Sequence, residues 1–134
     1  MALGEAMIVA GIGCRSGVDA AEVEAALAAA LLEHRATPSQ LGLIAIPGSK
    51  AQESGIVAAA AARNIPIALI AQQAMEAVSE FAITRSSRAM AVMNVNSVAE
   101  TAALAGAGSN ARLLGPRVAV GPVTCALAEG AIPV

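Results

Sequence analysis

The densest chemistry in the sequence lies near its start, in Gly11-Ile12-Gly13-Cys14-Arg15-Ser16-Gly17. The segment follows an apolar run and precedes a helix-start pattern, a position where free backbone N–H groups and the helix dipole favour an anion. Arg15 adds a planar donor fork suited to carboxylate or phosphate. A strand-to-helix turn that needs glycine only for steric reasons explains the same spacing. Gly11, Gly13 and Gly17 also resemble a loosened dinucleotide fingerprint, with the last interval one residue too long for the common form. That reading wants an acid after the second strand, and the chain offers Pro47-Gly48-Ser49-Lys50 there. Lys50 suits a phosphorylated ribose, which leaves a nicotinamide nucleotide as a minor alternative.

Lys50 and Glu53 fall one helical turn apart, which makes Glu53 the candidate base for activating a water. An ordinary surface pair, worth about 0.2–0.5 kcal/mol, accounts for them equally well. Glu100 follows Ser97 at capping-box spacing, so a helix cap already explains it. Cys14 has no histidine near it in sequence to act as its base. His34 falls in the last turn of a helix, where a cation meets the dipole favourably. Cys14, Cys125 and His34 make no ligand set for a structural zinc, and no metal site or cofactor is expected. Met75, Met90 and Met93 suit either an adaptable ligand wall or gap-filling in a core poor in aromatics.

These residues need a scaffold, and the patterning predicts one. Residues 7–12 form a β-branched apolar run, a buried strand. Asp19 and Glu22 form a capping box that opens a helix over about 20–35. Leu43–Ile46 is a second strand, and Ser49 with Gln52 is a second capping pattern, for a helix reaching about Arg63. Ile65–Ile70 is a third strand. The alternation predicts a parallel sheet with right-handed crossovers. Residues 72–93 are helical in two pieces, broken near Thr84–Arg88. Ser97–Glu100 opens an alanine-rich helix that stops near Gly106. Arg117–Val120 and Val123–Leu127 flank Gly121-Pro122 as a terminal hairpin or paired edge. The expected fold is a single domain over 1–134, α/β and three-layered, with a mainly parallel sheet, helices on both faces and an irregular C-terminal edge.

Composition narrows the function classes. One core suffices for 134 residues. The apolar share is 57%, but with one Phe and no Trp or Tyr the packing units are Leu, Ile, Val and Met around abundant alanine. A net charge of −2 and the lack of aromatic stacking platforms argue against nucleic acid. Glu22 and Glu24 interrupt the longest apolar tract, well short of the roughly 18–20 residues that span a bilayer. With no export signal evident and two cysteines expected free, the reading is cytoplasmic, without a membrane partner.

Four blocks, in order, are similar to the CobE and CbiG C-terminal family of cobalamin biosynthesis. They are Gly11–Gly17 with the Ala/Glu-rich helix after it, Lys50-Ala-Gln-Glu53-Ser-Gly55, Asn96-Ser-Val-Ala-Glu-Thr-Ala-Ala-Leu104, and Val123-Thr-Cys-Ala-Leu-Ala128. The blocks extend over nearly the whole chain, and their common register makes the resemblance specific. Two departures stand out. Gly48-Ser49 occupies the place where relatives often carry an aspartate before the lysine, and Asn94 and Asn96 stand where glycines are common. Asparagine tolerates the left-handed backbone such glycines supply.

The resemblance implies a role between precorrins and the corrin ring. Full-length CbiG resembles a hydrolase that opens a lactone on cobalt-precorrin-5A and releases acetaldehyde, and this chain corresponds to its C-terminal part or to free-standing CobE. The expected ligand is a precorrin or corrinoid acid, bound, delivered or assisted in its conversion, with other cobalamin-pathway enzymes as possible partners. The expected contacts are Gly11, Gly13, Cys14, Arg15, Gly17, Lys50, Ser97, Glu100 and Thr124. Helix starts near 19, 49 and 97 would gather at the strands' C-terminal edge, with Arg85 and Arg88 adding charge. The rivals are autonomous lactone hydrolysis, using Glu53 or Glu100, and a phosphate- or nucleotide-binding module.

Overall fold

The computed structural model describes residues 6–131. Its elements are β1 (Ala6–Cys14), α1 (Ala20–Glu33), β2 (Leu41–Pro47), α2 (Ser54–Arg63), β3 (Ile67–Ile70), α3 (Gln72–Ala77), α4 (Ser87–Met93), α5 (Val98–Ala107), β4 (Arg112–Leu113), β5 (Val118–Val120) and β6 (Val123–Ala131). They build the expected three-layer α/β fold. The sheet order is β3-β2-β1-β6-β4, with β5 also paired to β6. β1, β2 and β3 are parallel, whereas β6 runs antiparallel to β1 from Ala6↔Ala131 to Cys14↔Val123. The sheet is therefore parallel on one half and antiparallel on the other. The irregular edge consists of β4 and β5, two short strands sharing the outer side of β6. β6 itself is interior.

Alternation along β1 separates the two layers. Ile8, Ala10 and Ile12 face α1 and α2, where they pack with Val23, Leu27, Ile44, Ile46, Ile56 and Leu127. On the opposite face, beside Val9 and Ile70, the residues at the closest approach of α5 are small. A Cβ on Gly11 would stand 2.0 Å from the Ala99 carbonyl oxygen, and one on Gly130 would stand 2.4 Å from that of Ala107. Ala99, Ala102, Ala103, Ala126 and Ala128 complete this contact, all buried. Helix and sheet approach closely because neither presents bulk.

The local signals fare unevenly. Both halves of the Asp19/Glu22 capping box form: Glu22 N–H donates to Asp19 at 2.8 Å and Asp19 N–H donates to Glu22 at 3.0 Å. The Ser49/Gln52 cap does not form. After Pro47, residues Gly48–Lys50 take a 3-10 turn, and α2 starts at Ser54 behind Glu53, which makes no side-chain cap. The later start seats Gly55 against the chain before α1, where a Cβ would lie 2.3 Å from the Val18 carbonyl oxygen. α1 and α2 are joined by the two-pronged Arg63–Glu24 ion pair at 2.8 and 2.6 Å. His34 ends α1, and its ring N–H donates to the Pro116 carbonyl at 3.0 Å.

The break near 84–88 separates α3 from α4 as expected. Asn94 adopts the left-handed backbone at φ 56°. Asn96 does not, because Ser79 holds it by its backbone N–H at 2.8 Å and its side-chain amide at 3.0 Å. Among the described residues, no helix is long and apolar enough to cross a membrane.

Replacing Gly11 by Ala should lower stability by about 1–3 kcal/mol, because the added methyl meets backbone that cannot rotate away. A denaturant midpoint unchanged within error would show that α5 does not depend on this contact.

Candidate functional site

The C-terminal ends of β1 and β2 open into a cleft of ≈ 530 Å3. One wall is the chain after β1 and β2, with Cys14, Arg15, Ser16, Pro47, Ser49 and Lys50. The facing wall is α4 and its lead-in, with Ser86, Arg88, Ala89, Val92 and Met93. Gly13, Val98 and Thr124 line the cleft between them, and the β5–β6 hairpin contributes Arg117, Gly121 and Pro122. Arg15, Lys50, Arg88 and Arg117 give it four cationic side chains, and no Asp or Glu is among the lining residues. Valine, methionine, proline and alanine side chains supply an apolar surface between the charges. Such a site offers charge-assisted hydrogen bonds to anionic groups beside an apolar surface.

Of the expected contacts, Gly13, Cys14, Arg15, Lys50 and Thr124 line the cleft, and Gly11, Gly17, Ser97 and Glu100 do not. The glycine segment is less of a loop than its spacing suggested. Gly11, Gly13 and Cys14 belong to β1 and pair with Ala126, Thr124 and Val123 of β6. Gly11 also pairs with Ala45 of β2 and is covered by α5, so its glycine is a packing requirement. Gly13 is small for a related reason: a Cβ there would lie 2.7 Å from the Thr124 hydroxyl, which donates to the Gly13 carbonyl at 3.2 Å.

The free turn shrinks to Arg15–Gly17. Gly17 holds φ at 84°, and its N–H donates to Glu53 at 3.0 Å. Glu53, the candidate base, therefore braces the Arg15 turn from behind and does not line the cleft.

Ser97 is buried and caps α5, accepting from Glu100 N–H at 3.3 Å. Glu100 does not complete that box. Its side chain is fully buried at 0% exposure and accepts from Ile83 N–H at 2.7 Å, Thr84 N–H at 2.9 Å, Thr84 hydroxyl at 2.6 Å and Arg117 N–H at 2.9 Å. Of the helix starts expected to gather, that of α5 borders the cleft, through Val98, and the Asp19 start of α1 does not. Arg88 joins the site as expected, and Arg85 does not. Met93 lines it, while Met75 is core. Sequence reasoning missed Arg117 and Ser86. Only the tertiary contacts of Glu100 with residue 117 and of Asn96 with residue 86 reveal their placement.

A second groove of ≈ 570 Å3 is lined by Val78, Phe81, Ile83, Leu104 and Leu113 among others. Its one cation, Arg112, is paired with Glu129. It offers apolar surface without free charge.

Burial raises the Cys14 thiol above its usual range, the nearby Glu53 charge adds to this, and Lys50 opposes it. Cys125 lies wholly in the core, where burial pushes it up to about 12 against the opposing effect of Arg63. Both thiols are free. Among the described residues, no His, Cys, Asp and Glu cluster could hold a metal ion.

Comparison with known proteins points in one direction. Residues 8–128 match the family described as Cobalamin synthesis G C-terminus. The chain is 34% identical over 121 residues to Protein CobE of Sinorhizobium sp, a match covering 90% of this chain and 79% of that protein. Its structure is similar to the crystal structure of CobE, from the cobalamin (vitamin B12) biosynthetic pathway. The TM-score is 0.87 at 31% identity, over 92% of this chain and 90% of the other. It is likewise similar to cobalamin biosynthesis protein chiG of Agrobacterium tumefaciens, with TM-score 0.74 and 35% identity over 92% and 98% of the two chains. A cobalamin biosynthesis protein G homolog from Sulfolobus solfataricus shares the fold at TM-score 0.70 and 22% identity, and this chain spans 36% of it.

Alkylation separates the two thiols. Iodoacetamide at mildly alkaline pH should modify Cys14 slowly in the native protein, faster as pH rises, and Cys125 only after denaturation. Modification of both at one rate would contradict the burial of Cys125.

Proposed function

This chain belongs to the Cobalamin synthesis G C-terminus family, together with CobE, and on that premise we propose that its cleft binds a precorrin or corrinoid acid. It is a protein of the cobalamin biosynthesis pathway. The observation that carries the reading is the convergence of Arg15, Lys50, Arg88 and Arg117 on an apolar-walled cleft with no lining carboxylate. A corrinoid acid presents a flat apolar ring with acetate and propionate arms, which matches that arrangement. The apolar walls desolvate ring surface, and the cations meet the arms by charge-assisted hydrogen bonds.

The role that follows is binding, delivery or assisted conversion of the intermediate. Delivery calls for a receiving enzyme of the same pathway, and the protein works in the cytoplasm with its cysteines reduced. Autonomous lactone hydrolysis is the weaker reading, because neither Glu53 nor Glu100 lines the cleft and both are engaged with backbone donors. A nucleotide is weaker too, because the ladder at Gly11 and Gly13 takes up the backbone groups a phosphate would need.

Titration of the purified protein with hydrogenobyrinic acid, with a nicotinamide nucleotide as control, tests the reading. The acid should bind, the nucleotide should not, and added salt should weaken the complex. Arg15→Ala and Arg117→Ala should each cost roughly 1.5–3 kcal/mol of affinity with folding intact. Equal affinity in parent and both variants, or preference for the nucleotide, would defeat it.

A further inference from the structure

Glu100 is the buried charged residue of the described core, and the helix it sits on does not use its carboxylate. α5 is capped by Ser97 and packs by its alanines. All four donors to the carboxylate come from elsewhere in the chain. Oε1 accepts from Ile83 and Thr84 N–H, and Oε2 from the Thr84 hydroxyl and Arg117 N–H. No Lys or Arg side chain forms an ion pair with it among the described residues. Its charge is met by dipoles alone, and each dipole belongs to a segment that bears part of the cleft.

Ile83 and Thr84 stand just before α4, the wall that carries Arg88, Ala89, Val92 and Met93. Arg117 stands just before β5 and itself lines the cleft. α4 needs such an anchor, since Ala89 is its one buried residue while Met90 and Val92 are exposed. One carboxylate thus holds two walls from behind, the α4 lead-in through both oxygens and Arg117 through Oε2.

We propose that Glu100 is a positioning residue that fixes Arg88 and Arg117 at a set separation before the ligand arrives. The proposal rests on the cleft being the anion site described above. Preorganisation of this kind raises affinity by removing the ordering cost of two mobile cations at the moment of binding. An amide in place of the carboxylate turns one acceptor atom into a donor and leaves backbone N–H groups unmatched, so the walls lose their common tie.

The test titrates hydrogenobyrinic acid into the parent, Glu100→Gln, the Arg88→Ala/Arg117→Ala double variant and the triple combination. Glu100→Gln should weaken binding tenfold or more in the parent background and add nothing where both arginines are already gone. Ile56→Val, a core change on the opposite face of the sheet, controls for lost stability and should leave affinity unchanged. Should Glu100→Gln fail to fold, Thr84→Val removes one donor and keeps the carboxylate, with an expected loss of about threefold.

Hydrogen exchange in the ligand-free proteins supplies an independent readout. The amides of Ile83, Thr84 and Arg117 should all exchange faster in Glu100→Gln, or in Thr84→Val, and remain protected in Ile56→Val. Unchanged affinity with a lowered denaturation midpoint would reduce Glu100 to a structural residue and overturn the proposal, as would a loss that persists undiminished in the arginine-free background. If the parent itself fails to bind the acid, the reading of the cleft fails. The clamp is then judged by exchange alone: joint loss of protection supports it, and loss on one wall only overturns it.

Discussion

Where Gly11 faces Ala99, sheet and helix stand so close that one added methyl group would collide with backbone. The rest of the architecture depends on this contact. It requires glycine at Gly11 and Gly130, alanine along α5 and alanine on the same face of β6. It also buries residues 99–104 of the helix without exception. A core without aromatic side chains, the chain's one phenylalanine being exposed, gains its stability from many small, close contacts. Seated that deep, α5 brings the Glu100 carboxylate within reach of donors from two separate loops.

The site follows from that placement. β1 and β2 end side by side, and their exits supply Arg15 and Lys50, while the ties to Glu100 place Arg88 and Arg117 on other walls of the same cleft. The two acids offered as bases in the hydrolase reading, Glu53 and Glu100, lie behind the cleft and hold its turns. Cations form the inner surface, and carboxylates brace it from outside. This division suits a protein that receives a polyanion.

Much of the fold is legible in the sequence, because parallel strands separated by capped helices leave local marks. The β1-α1-β2-α2-β3 order and the Asp19 cap belong to this class. The antiparallel insertion of β6 between β1 and the edge strands leaves none. A strand buried on both faces is an apolar run whichever way it points, and only pairing with residues over a hundred positions away sets its direction. Misreading that strand ends the first strand early and makes Gly13 and Cys14 resemble a loop, since the partner that turns them into ladder is invisible. Glu100 is obscured differently. Ser97-x-x-Glu100 matches a capping box, and the local pattern conceals that the glutamate spends its hydrogen bonds on residues 83, 84 and 117. Arg15 and Lys50 are found because each lies within three residues after a strand's end, whereas Arg117 precedes a strand and gives no signal of its own.

A crystal structure of the protein with hydrogenobyrinic acid would show where a corrinoid acid sits. The ring's apolar body is expected against Val92, Met93 and Val98, with carboxylate arms in ionic contact with at least two of Arg15, Lys50, Arg88 and Arg117. A ligand seated in the Phe81 and Ile83 groove instead, with those four cations free of it, would contradict the account.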